Sequence, residues 1–254
     1  MDANSHQQRI DAVRLFLRHS GLQAGGQHDC SYLPGRSSRE LAFRASALPP
    51  GVYHALMDLN FRRSGSVFYR PQCPACHQCQ AIRVPVASFQ PNRAQRRCWR
   101  RNQDLKVTAG RLSPDAGKHA LYRAYQDQRH RRQMDAGWQG FCEFLYQSPV
   151  TTFEVNYSLA GRLISAAIAD VEPGAVSTVY CYFDPQLEDR SLGTFNILWT
   201  IDWARQLGLP YVYLGYYIAN SPKMSYKLNF RPCELLNAQG AWQSVGRGDV
   251  PLET

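Results

Sequence analysis

Three cysteines recur at three-residue spacing in Cys73-Pro74-Ala75-Cys76-His77-Gln78-Cys79. The turn of one Cys-x-x-Cys step aims two sulfurs at one ion, and the overlapping second step extends the same knuckle. Pro71 and Pro74 keep the segment out of continuous helix and central strand. Tetrahedral zinc and iron–sulfur centres take four soft ligands, so a fourth must come from elsewhere. Cys30 is the expected fourth, because it too lies beside a turn, Pro34-Gly35, in the same basic half; His77 and Cys98 are alternatives. The predicted chemistry is binding of zinc or an iron–sulfur cluster, with buried or redox-active thiols as the plainer reading.

A second group is basic. Arg93, Arg96, Arg97, Arg100 and Arg101 step by three and four, so a helix over 92–104 places them on one broad face. Like charges at that spacing repel, and a polyanion such as a nucleic-acid backbone relieves the repulsion. Trp99, among them, either stacks a base or packs inward. The charge balance agrees. Residues 1–132 hold 22 Lys+Arg against 8 Asp+Glu, a net +14, whereas residues 133–254 hold 7 against 12, a net −5. All but four of the 29 cations are arginine, which grips phosphate bidentately. A solvated arginine face is the plainer reading.

A third group opens a helix. Arg190-Ser191-Leu192-Gly193-Thr194 follows a strand, and glycine at a helix start lets backbone amides approach a phosphate. A fourth, residues 211–235, holds Tyr211, Tyr213, Tyr216, Tyr217 and Tyr226 with Lys223, Lys227 and Arg231. Aromatic walls with a few cations suit a nucleoside carrying an anionic group. All seven histidines lie at or before position 130. The C-terminal half therefore has no Ser–His–Asp or Cys–His arrangement of its own, and any base there is a carboxylate such as Asp184 or Glu234. Aminolysis of an activated ester fits that limit, because a terminal amine with a pKa of ~8 is already partly neutral near pH 7.

The elements that must position these groups follow from periodicity. Helices are predicted near 10–19, 49–60, 92–104, 114–133, 140–147 and 193–207, and strands within 62–70 and at 81–89, 151–159, 163–171, 175–184 and 211–215. Residues 106–113 read as a connection. Strand–strand–strand–helix–strand over 151–215 is α+β, and the acetyltransferase-like (GNAT) fold places a helix-opening phosphate loop at that position. The expected division is a basic, Cys-rich N-terminal domain, 1–108, and a GNAT-like acyltransferase domain, 109–254. Hydrophobic residues at 44% and charged residues at 19% describe a globular chain. No run reaches the roughly 18 apolar residues of a membrane span, and the N-terminus lacks a signal-peptide core. The cytoplasm is the expected compartment and no membrane partner is expected.

Taken together, Cys30-Ser31-Tyr32-Leu33-Pro34-Gly35-Arg36, Arg62-Arg63-Ser64-Gly65, the run Tyr69–Cys79, Gln95-Arg96-Arg97 and Arg101–Leu105 resemble the N-terminal part of the arginyl-tRNA–protein transferase family. Tyr182-Phe183-Asp184-Pro185, Arg190–Gly193, Tyr213–Tyr216, Lys223–Lys227, Phe230-Arg231-Pro232 and Glu234 resemble its C-terminal part. The length and the Cys-x-x-Cys-x-x-Cys form look like the bacterial branch that moves leucine to proteins beginning with Asp or Glu. The resemblance implies an N-degron aminoacyltransferase using leucyl-tRNA, with arginyl-tRNA the lesser expectation and no nucleotide cofactor. It implies that Arg190, Ser191, Gly193, Thr194, Tyr213, Lys223, Tyr226 and Lys227 hold the aminoacylated 3′ end. It implies an anion-seeking acceptor site, for which Arg44, Arg62, Arg63, Arg70 and Arg83 are the candidates. Asp184, Glu234 and Tyr216 are the candidates for any catalytic role. The competing expectations are an acetyl-CoA-dependent N-acetyltransferase and a non-catalytic, metal-stabilised RNA-binding protein.

Overall fold

The computed structural model describes residues 3–129, 136–246 and 249. In chain order the elements are α1 (Ala3–His19), β1 (His28–Asp29), β2 (Ser37–Ser38), β3 (Glu40–Arg44), α2 (Val52–Asp58), β4 (Arg62–Ser64), β5 (Val67–Pro71), β6 (Gln80–Pro85), α3 (Arg93–Arg101) and β7 (Lys106–Gly110). There follow α4 (Ala116–Arg129), α5 (Trp138–Leu145), β8 (Thr152–Leu159), β9 (Arg162–Glu172), β10 (Ala175–Phe183), α6 (Leu192–Gln206), β11 (Tyr211–Tyr217), α7 (Pro222–Ser225), β12 (Cys233–Leu236) and β13 (Trp242–Val245). The expected continuation of α4 through 130–133 lies outside the described residues.

The framework is an eight-stranded mixed sheet in the order β13-β12-β6-β11-β10-β9-β8-β7. It contains the α+β, GNAT-like pattern: antiparallel β8-β9-β10, then α6 as the crossover to β11, which lies parallel to β10. A parallel neighbour needs such a crossover, and α6 supplies it with its apolar face on the sheet. Gly208, at φ 67, follows the helix and lets the chain turn back through a left-handed conformation.

β6, from the first half of the chain, lies between β11 and β12. The segments on either side of residue 108 therefore share one sheet and one main core, which joins Ile82, Val84 and Phe89 to Leu198, Ile201 and Val212. A separate three-stranded sheet, β3-β5-β4, packs with α1 and α2 in a second core around Tyr53, Leu56, Phe61 and Phe68. Residues 106–110, expected as a connection, form the edge strand β7 paired with β8. Its mostly exposed residues carry no alternating apolar signal, so pairing rather than burial defines it.

Candidate active site

β10 and β11 are paired only from Ala175–Ser177 to Tyr211–Tyr213, and then part. The separation is visible in burial: Thr178 to Cys181 are only half-buried although β10 is a central strand. α6 begins beyond the C-terminal end of β10, on the side where the strands part. Crevices outside the carboxyl ends of parallel strands are the usual ligand sites of α/β sheets.

Two cations project into this opening. Arg62, on β4, donates Nη1 to Ser177 Oγ at 3.0 Å and Nη2 to the Thr178 carbonyl at 2.7 Å. Lys227 donates Nζ to the Tyr216 carbonyl at 2.8 Å. Their exposures are 7% and 8%, and no carboxylate among the described residues pairs with either. Burial, and after it the Arg62 charge, pushes the Lys227 ammonium down to about 7. Gly215 sits between them at φ 89, beside an irregularity in the β11–β6 register. A Cβ there would stand 3.4 Å from Arg62 Nε and 3.4 Å from Lys227 Nζ. Glycine is thus what leaves the gap between the two cations open.

The other arginines expected at an acceptor site are engaged elsewhere. Arg63 forms a bidentate pair with Asp170 at 2.9 and 2.6 Å, with both side chains 0% exposed. Arg83 lies between Asp58, at 3.1 Å, and Glu234, at 2.6 Å, and stacks on Tyr211 and Trp242. Arg70 lies over the Phe61 ring, and Arg44 bonds Ser66 at the surface. For Arg63 and Arg83 the expectation needs correction, because local carboxylates already neutralise them. Tyr213 is corrected likewise. It is 1% exposed, and its hydroxyl is bonded to Asp58, away from the opening. Burial works to raise the Asp58 carboxyl, but the bond with His6 and the Arg83 charge hold it below the ordinary range.

Among the catalytic candidates, Glu234 serves Arg83, and Asp184 pairs with Arg162 and accepts the Gln186 amide. Tyr216 donates its hydroxyl to the Asn60 carbonyl. Lys223 and Tyr226 are exposed on the segment that carries Lys227.

The loop before α6 departs from its simplest reading. Arg190 makes two 2.8 Å bonds to Asp104 instead of standing free for phosphate. Ser191, at φ 52, ends the preceding 3-10 turn and begins α6 without capping it through its side chain. The first-turn amides of α6, including Gly193 and Thr194, therefore remain available to an anion at the helix start.

α3 is fastened to this loop. A capping box closes its N-terminus, with Asn92 accepting from the Gln95 amide at 2.9 Å and Gln95 accepting from the Asn92 amide at 2.8 Å. Its inner face puts the Cys98 thiol against the Arg190 and Ser191 carbonyls, and Asn102 Nδ2 donates to the Arg190 carbonyl at 2.8 Å. Trp99 packs inward on Phe195 at 5.5 Å. Arg93, Arg96, Arg97, Arg100 and Arg101 are all exposed on the opposite face. Arg101 reaches the Asp189 carbonyl.

Cys30, Cys73, Cys76 and Cys79 line one cavity of about 210 Å³ together with Tyr32, Glu40, Tyr69 and Tyr216. Cys98 is committed to the Arg190 loop, and His77 is exposed and not part of that lining. Burial, then the neighbouring thiols, pushes Cys79 up to about 12. Among the described residues, only His6, His54 and Asp58 bring three ligand atoms within 4.8 Å of one another. No three of the cavity sulfurs come that close, whereas tetrahedral zinc with ~2.3 Å bonds sets sulfurs ~3.8 Å apart. The donor set, four thiols lining one cavity, fits either zinc or an iron–sulfur cluster.

Two features were missed by sequence reasoning: Gly215 between Arg62 and Lys227, and the His6–His54–Asp58 group. One signal was present. Where arginine is the default cation, a lysine stands out, and Lys227 is one of four.

The family model described as the arginine-tRNA-protein transferase C terminus matches residues 117–237, and that for the N terminus matches residues 28–97. An aspartate/glutamate leucyltransferase of Chromobacterium violaceum is 42% identical over 228 residues, covering 89% of this chain and 94% of that protein. One from Halorhodospira halophila is 40% identical, covering 85% and 94%. Among solved structures, FemX is similar with a TM-score of 0.46 at 9% identity, covering 89% of this chain and 92% of that one.

Proposed function

Since the chain belongs to the arginine-tRNA-protein transferase family, matched along most of its length, we propose that it transfers leucine from leucyl-tRNA to the N-terminal amine of proteins beginning with Asp or Glu. The observation that carries this reading is the opening between β10 and β11, where two buried cations have no counter-ion among the described residues. A site with no histidine and no free carboxylate among those residues suits a reaction whose substrate is already activated.

In this reading the exposed arginines of α3 meet the tRNA backbone. The start of α6 receives the terminal phosphate–ribose, and the ester lies between β10 and β11. The acceptor's neutral α-amine attacks the ester carbonyl carbon. A tetrahedral intermediate forms, the bond to the ribose oxygen breaks and the peptide bond remains. The proton lost from the amine goes to that ribose oxygen directly or through solvent, so no nucleotide triphosphate is consumed. Holding amine and ester in line supplies much of the acceleration. Tertiary positioning rather than a strong base is the protein's contribution.

Cys30, Cys73, Cys76 and Cys79 would hold an iron–sulfur cluster or zinc. Either would clamp the β1–β2 turn to the segment after β5, beside Tyr216. The reaction being with charged tRNA, the cytoplasm is the compartment that follows. Among the described residues no helix is long and apolar enough to cross a membrane.

The test incubates the protein with labelled leucyl-tRNA and a peptide beginning with Asp. Labelled peptide is the expected product. Turnover of acetyl-CoA without transfer from leucyl- or arginyl-tRNA would favour an N-acetyltransferase. Binding of tRNA without turnover would favour an RNA-binding module.

A further inference from the structure

Arg62 and Lys227 together retain several N–H donors beyond the bonds they make, and these face the space above Gly215. A buried charge is costly unless paired, and a buried polar group without its partner calls for an absent one. Elsewhere in this chain buried cations are neutralised: Arg63 by Asp170, Arg83 by Asp58 and Glu234, Lys118 by Glu154. Arg62 and Lys227 break that pattern where β10 parts from β11. Gly215 keeps the gap open, since any side chain there would both fill it and strain a backbone at φ 89.

We propose that Arg62 and Lys227 form the specificity subsite for the side-chain carboxylate of the acceptor's first residue. This rests on the aminoacyl-transfer reading above. The carboxylate is the missing counter-ion, held between the Arg62 Nε edge and Lys227 Nζ. The α-amine of the same residue is only a few bonds away, so seating the side chain delivers the amine to the ester in the same opening. A tRNA phosphate does not fit this place, because both cations are at most 8% exposed, whereas the exposed α3 face meets phosphates without burying them. Lys227, grouped by sequence with the donor side, thereby moves to the acceptor side.

The subsite predicts discrimination between charged and amide side chains of nearly equal shape. The experiment measures kcat/KM for leucine transfer to peptides beginning with Asp, Asn, Glu and Gln, with the full-length protein and the variants Arg62→Met and Lys227→Met. Each variant removes one charge-assisted hydrogen bond to the carboxylate. The Asp/Asn and Glu/Gln ratios should therefore fall by about ten- to a hundredfold, whatever the change in absolute rate on the amide peptides. Equal loss for acidic and amide acceptors, or unchanged ratios, overturns the proposal and assigns the pair to transfer chemistry or folding. Neither substitution strands a carboxylate, so both variants are expected to fold. Should Arg62→Met unfold, Lys227→Met carries the test, because among the described residues the Lys227 ammonium bonds only the Tyr216 carbonyl and Met224 sulfur. A second readout needs no turnover: the Asp peptide alone binds the wild-type protein at least about tenfold more tightly than the Asn peptide, and Lys227→Met removes the difference. Equal binding of the two peptides by the wild type overturns the subsite even if transfer occurs. Preferential Asp binding without transfer preserves the subsite and overturns the transferase reading.

Discussion

Replacing Arg63 by Met separates an arginine that holds the fold from one that holds a substrate. Arg63 is 0% exposed, pairs bidentately with Asp170 at 2.6 and 2.9 Å, and donates to the Gly65 carbonyl at 2.9 Å. Asp170 has one further donor, the Thr152 hydroxyl at 2.6 Å. Arg63→Met therefore leaves a fully buried carboxylate with a single neutral hydrogen bond. Breaking a buried pair from one side costs about 3–5 kcal/mol. At roughly 2–4 °C per kcal/mol for a chain of this size, Tm should fall by about 6–20 °C. The double variant Arg63→Met/Asp170→Leu removes both charges and should recover most of that loss, because two well-packed apolar groups replace a pair that is costly to desolvate. Thermal unfolding followed by circular dichroism, with urea midpoints at 25 °C, measures both. Below the variant's Tm the Asp/Asn acceptor ratio should stay at the wild-type value. A fall under about 1 kcal/mol for Arg63→Met, or a double variant as unstable as the two single losses added, would refute the structural assignment. A changed acceptor ratio would return Arg63 to the substrate site.

Other consequences concern the remaining groups. Arg93→Ser/Arg97→Ser/Arg100→Ser removes three exposed cations from one face of α3 and should weaken tRNA binding, with the slope of log K against log salt shallower by on the order of one unit for each phosphate no longer neutralised; an unchanged slope in filter binding would place the tRNA elsewhere. Glu172 accepts the Gly51 amide at 2.6 Å, and burial raises its carboxyl to about 7, so the folded state keeps a proton that the unfolded chain releases above about 4.5. That contribution is present at low pH and lost as pH rises through 7. His54, lowered by burial to about 4, acts oppositely, and its contribution is lost as pH falls from 6.5 to 4. Glu172→Gln should therefore make urea midpoints fall more steeply on acidification between pH 7 and 4.5 than in the wild type, and parallel curves would contradict this. An iron–sulfur cluster in the cysteine cavity predicts charge-transfer absorption near ~400 nm in anaerobically purified protein, abolished by Cys79→Ser; colourless wild-type protein containing stoichiometric zinc would assign the cavity to zinc instead.

Much of the candidate site was legible in the chain itself. Arg93 to Arg101 declare an exposed basic face by spacing alone, since steps of three and four admit one helical side. The order strand–strand–strand–helix–strand over 151–215 revealed the transferase-like half, because periodicity is a local property and α6 and β8 to β11 carry it strongly. The four cysteines that share a cavity could be named from spacing and a nearby turn. Contacts across the chain were not legible. Nothing local tells Arg62 from Arg63: adjacent residues of β4 point to opposite faces, one toward Asp170 and one toward an opening without a carboxylate. Nor could the sequence place β6 between β11 and β12, 126 residues beyond Pro85 in the case of Tyr211, because strand pairing at that separation depends on register and on the shape of the whole core. The sequence by itself determined which cations, thiols and helix faces this protein has. Tertiary structure alone decided which buried cations find a carboxylate partner, because neutralisation is a matter of distance in space, and Arg62 and Lys227 have none among the described residues.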